Sequence, residues 1–206
     1  MFDERNIPSI PIRAQDHAHK PTIAPSTVAA LSYWHLFGDD HPFPGPGCDP
    51  DTFNPTYTDG CAVGCLIDPA LRPGLDNPRD ADPDDDELDY PAITTLFENH
   101  PDRLLAALQQ TFDIPSGRVS TDIVVLMRNL QQVHDQHAGN IASRIEDKED
   151  PSNQIAALKT DFEAVLRMHF ISPEAVQDHI DVLREKGQVP AWIGQTANPS
   201  SYGADA

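Results

Sequence analysis

The chain has 206 residues, enough for one core of respectable size or one core with long arms. Its 33 acidic against 14 basic residues give a formal net charge of -19, which repels phosphate backbones and anionic lipid and so argues against direct nucleic-acid or membrane binding. No run approaches the ~18 apolar residues of a membrane span, and the start, MFDERNIPSI, lacks a basic region followed by an apolar one, so a cytoplasmic address is expected.

The acids are 25 Asp and 8 Glu, and the bases 10 Arg and 4 Lys. Two origins stand for this skew. A high-salt cytoplasm screens the self-repulsion of a dense acidic surface, while a GC-rich genome favours Asp, Ala and Arg codons without physical purpose. Three cysteines, Cys48, Cys61 and Cys65, are odd in number and too few to staple a secreted scaffold, so reduced thiols are expected.

Residues 1–25 read as an extended arm, because Pro8, Pro11, Pro21 and Pro25 interrupt every helical pattern. A first helix is predicted from Ser26 or Thr27, either hydroxyl serving as cap, to Phe37, with Gly38 stopping it. Residues 39–60 are irregular and proline-rich, with one short hairpin near 47–60. They deliver the chain into a small buried helix, Cys61-Ala-Val-Gly-Cys-Leu-Ile67. Residues 72–91 hold eight acids and four prolines and read as a solvated loop.

Helices are then predicted at 92–99, at 101–112 with Pro101 in the first position, and at 121–138, capped by Ser120 and ended by Gly139. Two more follow at 152–170, capped by Ser152, and at 173–186, capped by Ser172 and ended by Gly187. Ile123, Leu126, Met127, Leu130 and Val133 recur at three- and four-residue steps, as do Ile155, Leu158, Phe162, Val165 and Leu166, then Val176, Ile180 and Leu183. The expectation is a mainly α single domain over 26–187, with a tail at 188–206 anchored by Trp192 and Ile193.

Chemistry has two places to sit. Cys61 and Cys65, four apart, share a helix face, and with Cys48, His134 and His137 they are the candidates for a tetrahedral zinc site. Their spacing differs from the two-residue gap of zinc knuckles, and free cysteines are among the most buried residues, so packing is expected over ligation and no cofactor is assigned. A catalytic thiol needs Cys61 at a helix amino terminus and His134 or His137 as base, in electropositive surroundings that this acidic chain opposes. His134-Asp135-Gln136-His137 otherwise continues the apolar stripe of its helix, with the imidazoles complementing the dipole near its end. The Asp-rich run of 80–89 contains Pro83 and no glycine, unlike a calcium loop. No catalytic residue is assigned.

Cys61 to Ile67, read together with Leu130-Gln-Gln-Val-His-Asp135, resembles a family of small uncharacterised phage and bacterial proteins. Those proteins carry a Cys-Ala-Val-Gly-Cys-Leu-Ile segment and a later Leu-Gln-x-Val-His-Asp helix. The likeness covers roughly residues 27–138; the insertion from Asp39 to Pro55 and everything after Gly139 depart from it. It implies a viral or mobile-element origin and no activity. The resulting expectation is a non-enzymatic viral accessory protein that binds a host protein or small ligand in the host cytoplasm. A virion component, with a homo-oligomer implied, and a cysteine- or metal-dependent hydrolase are the alternatives.

Overall fold

Proline opens the first helix, α1 (Pro25–Phe37), at the position where its missing N–H costs nothing. The start therefore lies just upstream of the expected hydroxyl cap: Ala24 takes the cap position and no side chain bonds there. Thr27 to Ser32 and Trp34 to Leu36 are all buried, because small or apolar residues occur at almost every position and the helix is enclosed on all sides. Gly38 ends it in an extended conformation (φ -63°), without using glycine's left-handed freedom.

The computed structural model describes residues 20–38, 43–44, 61–72, 75 and 93–194. Residues 1–19, the hairpin expected near 47–60, Cys48 and most of 72–91 lie outside the described residues. Five further helices follow: α2 (Ile93–Asn99), α3 (Pro101–Leu108), α4 (Thr121–Glu146), α5 (Ser152–Met168) and α6 (Pro173–Glu185). The protein is mainly α, as its periodicity requires, and among the described residues no strand occurs. A single parallel bridge joins Thr22 to Asp113, where the Asp113 N–H donates to the Pro21 carbonyl (2.9 Å) and the Ile23 N–H donates to the Asp113 carbonyl (3.0 Å). None of these helices is long and apolar enough to cross a membrane.

α6 packs along α1, α5 packs along α4, and α2 bridges α3 and α4. The core gathers Val28, Leu31, Leu66, Leu96, Leu108, Leu126, Leu130, Phe162 and Ile180 from these faces. Trp192 and Ile193 pack against it from the end of the chain.

Two expected helix ends move by four residues or more. α4 runs through Gly139 to Glu146, because Ala138, Ile141 and Ala142 continue its buried stripe past the glycine. α3 stops at Leu108, four residues early. There the Thr111 hydroxyl donates to the Leu66 carbonyl (2.6 Å), and Phe112 turns into the core. At the start of α5, Pro151 occupies the cap position expected for Ser152, and the Asp150 carboxylate accepts the Ser152 N–H (2.9 Å). The Ser152 hydroxyl, which donates to the same carboxylate oxygen, and then that N–H hold the Asp150 carboxyl below its ordinary pKa. Ser172 caps α6 as predicted, accepting the Ala175 N–H at 3.1 Å.

Three helices end in the same way. The sixth residue of each closing turn donates back to the first: Glu149 to the Arg144 carbonyl, Ile171 to Leu166, and Gln188 to Leu183. The residue before each of those donors must then be left-handed, and these are Lys148 (φ 58°), Phe170 (φ 58°) and Gly187 (φ 64°). Glycine adopts this conformation freely, whereas a bulky side chain opposes it by roughly 1–2 kcal/mol. Phe170 is nevertheless 99% exposed.

Candidate functional site

The Cys61–Ile67 segment is a turn running into a short 3-10 helix, Gly64–Leu66, where a small helix was expected. Three successive carbonyls in it are satisfied by side chains from three different segments. Trp192 Nε1 donates to Cys65 O (3.0 Å), Thr111 Oγ1 to Leu66 O (2.6 Å) and Arg72 Nε to Ile67 O (3.0 Å). The early end of α3 and the anchoring of the tail serve the same purpose, which is to pair backbone acceptors of a turn that has no solvent. Cys61, Ala62, Val63, Cys65, Leu66 and Ile67 are all completely buried.

A chain of hydrogen bonds leaves this turn towards α4. The Cys61 thiol donates to Gln131 Oε1 (3.1 Å), and Gln131 Nε2 donates to Asp135 Oδ1 (2.6 Å). His134 Nδ1 also meets Asp135 Oδ1, at 3.2 Å. The Asp135 carboxylate accepts from both sides, so Nδ1 is the donor of that pair. The other ring nitrogen, Nε2, is buried and has no hydrogen-bond partner among the described residues. The sequence places His134 and Cys61 in different motifs, and the fold joins them through Asp135, already a neighbour of His134 in its motif, and Gln131, to which the motif gives no chemical role. Gln131 and Asp135 lie one helical turn apart on α4, which is the signal that finds them.

The electrostatics run against nucleophilic chemistry. Burial pushes the Cys61 thiol up to about 12, and the Asp135 charge adds to that, against the opposing hydrogen bonds from Gly64, Val63 and Gln131. Burial likewise raises Cys65, with the Cys61 charge adding to it and Arg72 opposing. An activated cysteine needs nearby positive charge, and the charge that acts on Cys61 is the negative one of Asp135. Among the described residues no hydrogen bond joins the thiol to an imidazole.

His137 stands apart from this network. Its Nε2 bonds Asp161 Oδ2 (2.9 Å), tying α4 to α5. Neither imidazole complements the end of its helix as expected, because α4 continues nine residues beyond His137, to Glu146. Cys48 lies outside the described residues. Among the described residues no three His, Cys, Asp or Glu side chains stand together as a ligand set.

A groove lies elsewhere, between α2, α3 and the loop entering α4. Phe97, Leu104, Leu105 and Val119 form its apolar walls, Asp102 and Arg118 stand among its polar groups, and its volume is about 720 Å³. Nothing in the linear pattern marks it, since its walls come from three segments. A smaller cavity of about 170 Å³ sits under the tail, between Lys20 and Trp192.

Compared with known proteins, the chain matches no family model, no curated protein and no solved structure.

Proposed function

We propose that this chain is a non-enzymatic accessory protein of a phage or archaeal virus, acting in the host cytoplasm by binding a host protein or a small ligand through its outer surface. The observation that carries the non-enzymatic part is the Cys61–Gln131–Asp135–His134 network: its thiol is wholly buried, has its proton held by an amide and faces a carboxylate. A polar chain of this kind fixes the angle of the Cys61–Ile67 turn against α4, a structural task. The viral part rests on the resemblance of Cys61–Ile67 and Leu130–Asp135 to small phage and bacterial proteins.

A virion component is the second reading, favoured by Met168 and Phe170, which stand 67% and 99% exposed on one turn. Such apolar surface belongs at a contact between proteins.

Native mass spectrometry of the full chain tests the choice against metal chemistry. The binding reading expects the bare chain mass per subunit after equilibration with zinc. One zinc per chain, lost on Cys61→Ala, overturns it.

A further inference from the structure

We draw no further inference here: the strongest candidate, the apolar groove between α2, α3 and the loop entering α4, walled by Phe97, Leu104, Leu105 and Val119, carries none, because nothing in the structure shows what covers it.

Discussion

Phe162→Ala lowers the unfolding free energy by about 3–5 kcal/mol, a large share of the ~5–15 kcal/mol that holds an ordinary domain together. Phe162 is fully buried on α5, and its ring meets Phe37 edge-on at 5.5 Å and Tyr33 at 6.2 Å, both on α1. The same seam carries the Tyr33 hydroxyl donating to Glu163 Oε1 (3.1 Å) and the Lys159 ammonium over the Tyr33 ring at 5.5 Å. Truncation therefore removes the aromatic that joins two helices and opens a cavity that neighbours on different elements cannot close. Urea denaturation measures the loss, with the slope against urea unchanged if the fold persists. A loss below about 1 kcal/mol would mean that α1 and α5 do not meet there.

Stability falls steeply above pH 9, and the two buried thiols cause part of the fall. Unfolded, each releases its proton near the ordinary thiol value of 9.0; folded, Cys61 keeps its proton to about 12 and Cys65 is raised as well. Between those limits the unfolded chain binds fewer protons than the folded one, so rising pH favours unfolding. The contribution is present in full below 9, and each thiol removes about 1 kcal/mol per pH unit above it. Lysines and tyrosines titrate in the same range, so comparison of variants isolates the thiols. Urea midpoints for wild type and Cys61→Ala, taken at several pH values upward from 8, are expected to converge as pH rises. Parallel curves would mean that Cys61 titrates alike in the folded and unfolded chain.

Much of the helical architecture is legible in the sequence because it follows from local rules. The stripes Ile123–Leu130 and Leu158–Leu166 are buried as their spacing requires, and Ser172 caps the helix that it precedes. The misread boundaries depend on partners distant in the chain. Gly139 stays helical because Ile141 and Ala142 have somewhere to pack, and α3 ends early because the Leu66 carbonyl, 45 residues away, needs the Thr111 hydroxyl. The site divides in the same manner. Burial of Cys61, Cys65 and His134 follows from residue type and periodicity, whereas the route from thiol to imidazole runs through Gln131 and Asp135, whose polarity suggests solvent until the turn is seen against α4. The left-handed backbone at Phe170 contradicts its residue type and has no signature in the linear pattern.

The structural role of the network depends on the burial of Cys61. Alkylation of the native full chain with iodoacetamide near neutral pH, followed residue by residue through peptide mass mapping, measures it. A pKa raised from 9.0 to about 12 leaves the folded Cys61 roughly a thousandfold less thiolate than the unfolded chain. Cys61 and Cys65 are therefore expected to label only after denaturant is added, Cys61 at least about a thousandfold more slowly while folded. Native labelling of Cys61 as fast as in the unfolded chain, or faster, would contradict the structural role of the network and return the thiol to chemistry.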